Sequence, residues 1–129
     1  MTMQKVLIVL FSIFALTACQ TTGNKPTPAE IAAQVCPTMD VTLAVLQASP
    51  AISDGAKEEI TRGQPIVRAL CAPGAIADVS SLADLSDRMV PVLIQAIGES
   101  TLKDKEKQTL LLSVALIQIA LNSVVHNVN

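Results

Sequence analysis

Past Phe14 this chain of 129 residues contains no Phe, Tyr or Trp, and its apolar side chains return at intervals of three and four residues. A core without aromatic rings must be packed from Leu, Ile, Val, Met and Ala, and that spacing lays such side chains along single helical faces. No segment sustains the apolar–polar alternation of a half-buried strand. The expected fold is therefore all-α, a small four-helix bundle with proline-kinked helices.

The first helix is expected from Pro28, because Thr27-Pro28-Ala29-Glu30 places Thr at the N-cap, Pro at the first helical position and Glu at N3. Ile31, Val35, Met39, Leu43 and Leu46 form its apolar face, and Pro37 should kink or split it. Ser49-Pro50 and Asp54-Gly55 mark a connection to a second helix that carries Ala56, Ile60, Val67 and Leu70, ends near Cys71 and contains Pro65. Glu58 and Arg62 stand four apart on it in the favourable order.

Ala72-Pro73-Gly74 breaks the chain again. A third helix, capped by Ser80 or Ser81, then carries Leu82, Leu85, Met89, Leu93 and Ile97, an Asp84–Arg88 pair and an internal Pro91, and ends in Gly98-Glu99-Ser100-Thr101. The last helix begins near Leu102, and from Leu110 to Val125 only Ser113, Gln118, Asn122 and Ser123 interrupt apolar residues. A helix apolar on most sides is either buried among neighbours or set in a membrane. This run of 16 residues is shorter than the roughly 20 a bilayer needs, and Gln118 and Asn122 would be unsatisfied in lipid, which favours a central helix surrounded by the other three.

The N-terminus has the order of an export signal: Lys5, then an apolar run from Val6 to Ala15 broken by Ser12, then small residues before a cysteine. Leu16-Thr17-Ala18-Cys19 resembles the lipobox of bacterial lipoproteins. That resemblance implies cleavage before Cys19 and a diacylglyceryl group on its sulfur. Residues 1–18 are then a lipoprotein signal peptide, 19–27 a lipidated tether and 28–129 the helical domain. Gln20 stands where lipoproteins retained in the inner membrane commonly carry Asp, so the resemblance implies the outer membrane, facing the periplasm, if the source is Gram-negative. Gln20 to Pro26 is polar, with Gly23 and Pro26, and reads as a short flexible tether.

Without the signal the chain keeps 8 Lys and Arg against 11 Asp and Glu, a formal charge of −3. Nucleic-acid binding is not expected, because the one basic cluster, Lys103, Lys105 and Lys107, is interleaved with Asp104 and Glu106 and no aromatic ring offers a stacking platform. Enzyme machinery is not expected either. The only histidine, His126, lies four residues from the C-terminus, and the five glycines are scattered singly, so neither a nucleophilic triad nor a phosphate loop can be assembled. Of the carboxylates, Glu58 and Asp84 have arginine partners, and Asp40 and Asp87 fall on polar helix sides. No metal or other cofactor is expected. Met39 and Met89 read as core fillers, while Gln118, Asn122 and His126 share one helical stripe that could form a polar contact surface.

With Cys19 committed to lipid, Cys36 and Cys71 are left as a pair in an oxidising compartment, either bridged or as buried thiols. A bridge meets a difficulty of register: in a hairpin about Pro50 the position opposite Cys36 is near residue 65, not 71. The lipobox, the size, the helix count and the cysteine pair together look similar to the pilotins, small helical lipoproteins that escort secretion pores. The expected function is a lipid-anchored, non-enzymatic interaction domain held by its lipid at a membrane, for an envelope protein partner or assembly. The alternatives are a phage or prophage envelope lipoprotein, of superinfection-exclusion or spanin type, and a carrier of apolar ligands. An interaction domain should expose an apolar patch of several hundred Å², and a carrier should enclose an apolar pocket.

Overall fold

The computed structural model describes residues 25–126. The expected signal peptide, Cys19, Gln20 and the tether before Lys25 lie outside the described residues, as do the last three positions. Helix α1 covers Pro28–Ala48 and α2 covers Asp54–Cys71. A third rod is built from α3 (Val79–Asp84), a π-helical segment (Leu85–Met89) and α4 (Val90–Glu99), and α5 covers Asp104–Val125. The described residues contain no strand, so the fold is the all-α, four-helix arrangement expected from the apolar spacing.

Helix α1 starts where its capping box places it. The Thr27 N–H donates to Glu30 Oε2 at 2.7 Å and the Glu30 N–H donates to Thr27 Oγ1 at 3.3 Å. For α3 the cap is Asp78, not Ser80 or Ser81: its Oδ1 accepts the Ser81 N–H at 2.7 Å and the Ser81 hydroxyl at 2.8 Å. A carboxylate is the stronger acceptor and suits the positive end of the helix dipole, so the helix begins earlier than a serine cap would set it. The bonds from Thr27 hold the Glu30 carboxyl below its ordinary value of 4.5, and the bonds from Ser81 hold Asp78 below 3.8. Groups depressed in the folded state add stability that is complete above the ordinary value and is lost as pH falls through the folded one. Melting curves from about pH 6 down to about pH 2 should therefore show Tm falling from roughly pH 4 downward, and Glu30→Gln with Asp78→Asn should flatten part of that fall.

All three internal prolines are accommodated without splitting a helix. Helix α1 runs on through its kink at Pro37, and α2 runs on through Pro65. Before Pro91 the helix widens instead: the Val90 N–H donates to Leu85 O, five residues back. Proline lacks a donor and its ring crowds the carbonyl four residues back, and a wide turn just ahead of it relieves both constraints.

The third rod is the centre of the core. Leu82, Leu85, Met89, Leu93 and Ile97 are fully buried, packed against Ile31, Val35, Met39 and Leu46 from α1, Ile60, Val67 and Leu70 from α2, and Val114, Ile117, Leu121 and Val124 from α5. This corrects the expectation that the last helix is central. Apolar residues on α5 form two separate stripes, and only one turns inward; Leu112, Leu116 and Ile119 remain 62%, 58% and 66% exposed. Helices α1 and α5 are each long and apolar enough to cross a membrane by length and composition, and each has one face buried in this shared core.

At the centre, α2 approaches the π segment closely. A Cβ at Gly63 would lie 2.3 Å from Met89 Sδ, inside a fully buried side chain. Gly63→Ala should thus destabilise the domain by about 1 kcal/mol in denaturant titration, because overpacking of about 1–3 kcal/mol outweighs a helix-propensity gain of up to about 1 kcal/mol.

Cys36 and Cys71 are bonded, with their Cα atoms 5.5 Å apart. The register difficulty is met by the unequal arms of the hairpin, whose difference the link takes up. From Cys36 to the end of α1 is 12 steps and from the start of α2 to Cys71 is 17, about 18 and 26 Å of helix. The link from Ser49 to Ser53 is the short third side of the triangle that the bridge closes. After Cys71 the chain turns sharply: the Ala75 N–H donates to Ala72 O at 2.9 Å across Pro73 and Gly74, and Gly74 has φ +79°. This is a type II turn, whose third residue needs the left-handed conformation.

Candidate functional site: an apolar furrow between α1 and α5

Helices α1 and α5 pack antiparallel, and an open groove of about 770 Å³ runs between the C-terminal half of α1 and the N-terminal half of α5. Val41, Val45 and Ala48 form one wall, and Leu102, Thr109 and Leu110 the other. A smaller hollow of about 220 Å³ continues between the same helices toward Gln34 and Ala120, and Ser113 lines both.

Three of the hydroxyls lining the furrow are turned into their own helices. Thr42 Oγ1 donates to Thr38 O at 2.8 Å, Thr109 Oγ1 to Lys105 O at 2.9 Å and Ser113 Oγ to Thr109 O at 3.1 Å. Back-bonding of this kind satisfies the hydroxyl locally and leaves methyl and methylene groups facing outward. At these three positions the walls therefore present apolar surface.

Exposed apolar side chains extend the furrow over both rims. Val41 is 65% and Val45 is 45% exposed on α1. On α5, Leu116 lines the smaller hollow, and Leu112 and Ile119 lie four residues before and three after it, its neighbours on the helix surface. Charge is confined to one end, where Lys105 and Glu106 stand; no charged residue occurs from Gln108 to Val125 or from Val41 to Ala48.

Of the residues singled out in the sequence, Gln118 and Asn122 are half-buried on α5, and His126 is exposed at its end, where its backbone N–H bonds Asn122 O and Val124 O. By helical rotation their stripe borders Ile119 on the side away from the furrow. Cys36 and Cys71 form the structural bridge, and Cys19 and Gln20 lie outside the described residues. Met39 and Met89 are fully buried core side chains.

The carboxylates are taken up in pairs or surface positions. Arg62 bonds Glu58 at 2.6 Å and Glu59 at 2.7 Å, and the bond to Glu58, then the charge of Glu59, push its guanidinium further up. Asp84 lies 3.9 Å from Arg88, and Asp40 and Asp87 are exposed. A second hollow of about 420 Å³, between the start of α2 and α4, is lined by Glu59 and Glu99; the latter accepts from Gln95 at 2.9 Å. Among the described residues no group of three His, Cys, Asp or Glu side chains could hold a metal ion.

Sequence reasoning missed Val41, Val45, Leu112, Leu116 and Ile119. The signal was present in the spacing: Leu110, Val114, Ile117, Leu121 and Val124 make one stripe, and Leu112, Leu116 and Ile119 make another. No protein-family model, curated protein or solved structure matches this chain.

Proposed function

We propose that this chain is a lipid-anchored, non-enzymatic protein of the cell envelope that offers the α1–α5 furrow and its exposed rims to a protein partner. The observation that carries the reading is the contiguous, charge-free apolar surface of Val41, Val45, Leu112, Leu116 and Ile119. Surfaces of this kind mark interaction sites on soluble domains. An open furrow between two helices suits an added helix or extended segment better than the enclosed cavity an apolar carrier needs.

The lipobox-like Leu16-Thr17-Ala18-Cys19 supports anchoring through Cys19, and Gln20 supports delivery to the outer membrane of a Gram-negative cell, facing the periplasm. The anchor compensates for a modest interface by raising local concentration. Intact-mass measurement of protein extracted from membranes tests the anchor: the expected mass begins at Cys19 and includes diacylglyceryl. Recovery of an unmodified Cys19 would refute it. For the face, a photoactivatable residue at Leu116 is expected to form a protein adduct in cells, and one at exposed Arg62 or Arg68 is not.

A further inference from the structure

We propose that the Cys36–Cys71 bridge is a redox latch on α2: when it is reduced, α2 swings off the core about the Ser49–Ser53 link, while α1, the third rod and α5 stay packed. Helix α2 is the most lightly held of the long helices. Helices α1, α2 and α5 bury six, three and four side chains, and the three of α2 are Ile60, Val67 and Leu70. Six of its 18 residues are charged. The bonds they make, such as Arg62 to Glu58 and Glu59, support the helix itself and do not fasten it to the bundle. Val67 and Leu70 lie within about one turn of Cys71, so the bridge holds down the end that supplies most of the burial.

The two ends of α2 are fastened differently. At its start, Gln47 Nε2 donates to Lys57 O at 3.3 Å and to Thr61 Oγ1 at 3.2 Å. Ile52 in the link is buried, and the Thr101 N–H donates to Ala51 O at 3.0 Å. Past its end, the connection from Ala72 to Ala77 has no fully buried side chain, and Ile76 is 86% exposed. Beyond the helix-end bonds its one backbone bond, from Ala75 to Ala72, is internal. That stretch gives about 20 Å of slack when extended. An α2 still bonded to α1 gains little freedom by leaving the core. A reduced one gains much of the freedom of a 35-residue loop, which raises the open population by about 100-fold or more.

Both cysteines are half-buried, within reach of a small or protein dithiol. One thiolate of the dithiol attacks a bridge sulfur and releases the other cysteine as thiolate; its second thiol then resolves the mixed disulfide. The reductant leaves as its own disulfide, and Cys36 and Cys71 each keep a proton and one of the two electrons transferred. Opening uncovers Met89, on which α2 rests at Gly63. The thiol–disulfide balance of the surroundings thus decides whether the apolar centre of the bundle is covered. This device stands on the packing of α2 and does not depend on what binds the furrow.

The test is native-state hydrogen exchange on the full chain in detergent micelles, with and without dithiothreitol, and on the variant carrying both Cys36→Ser and Cys71→Ser. In the oxidised parent, amides from Ile60 to Leu70 should be protected to the same level as those from Val90 to Ile97. On reduction the α2 amides should lose about 100-fold or more of their protection and fall at least about tenfold below those of α4. The serine variant should show the same separation without reductant, and circular dichroism should keep most of the helical signal in both. Equal protection of α2 and α4 after reduction would mean that the bridge stabilises the bundle as a whole, and it would overturn the proposal. So would α2 protection unchanged by reduction or by the serine pair, or a reduced chain that loses its helical signal altogether.

Discussion

Replacing Cys36 and Cys71 together with serine is expected to lower the unfolding free energy by about 3 to 4 kcal/mol, the loop-entropy value for a 35-residue span. For a domain of this size that corresponds to a fall in Tm of roughly 15 to 25 °C. The effect is large because the bridge ties the middle of α1 to the last residue of α2, closing the triangle in which α2 meets the core. The urea midpoint should move accordingly, and reducing agent should reproduce the shift in the parent. A loss below about 1 kcal/mol would mean that the unfolded chain is already constrained without the bridge.

Leu93→Ala should cost about 2 to 5 kcal/mol, whereas Leu116→Ala should cost less than about 0.5 kcal/mol. Both leucines stand in apolar stretches of their helices, and composition alone does not rank them. Leu93 is fully buried on α4 at the centre of the bundle, and its truncation leaves a cavity between α2 and α5. Leu116 is 58% exposed and leaves none. Denaturant titration of both variants thus measures which helix is central. If α5 were the buried axis of the bundle, the order of the two losses would be reversed.

Much of the fold was legible because it rests on local chemistry. Thr27, Pro28 and Glu30 specify a helix start among themselves, and Leu82, Leu85, Met89, Leu93 and Ile97 specify one buried face; both are found as expected. The cap at Asp78 was missed because two serines stood nearer the apolar run, although a carboxylate is the better acceptor. The π turn before Pro91 was not legible, since Pro37 and Pro65 sit in helices that run on without one, and a proline alone does not say which way its helix will accommodate it. The exposed apolar face of α5 was misread for a different reason. An apolar-on-most-sides helix is a statement about composition, and whether its second stripe is covered depends on how many neighbours surround it. Helix α5 packs with one side only, so the stripe that suggested burial is the exposed one.

The same distinction shapes the functional reading. The described residues carry no aromatic ring and no cluster of metal ligands, and on the proposed reading an anchor at Cys19 would make a weak apolar surface effective. The most direct test is the yield of photo-cross-linked adduct from Leu116 in cells, compared between the parent chain and a Cys19→Ser chain exported behind an ordinary cleavable secretory signal. With the fold and expression level unchanged, the adduct should be abundant in the parent and fall by about tenfold or more without the anchor, because the local concentration supplied by the membrane is lost. Equal yields from both chains, or no adduct from either, would contradict the claim that this protein works by holding an apolar helical face at the membrane.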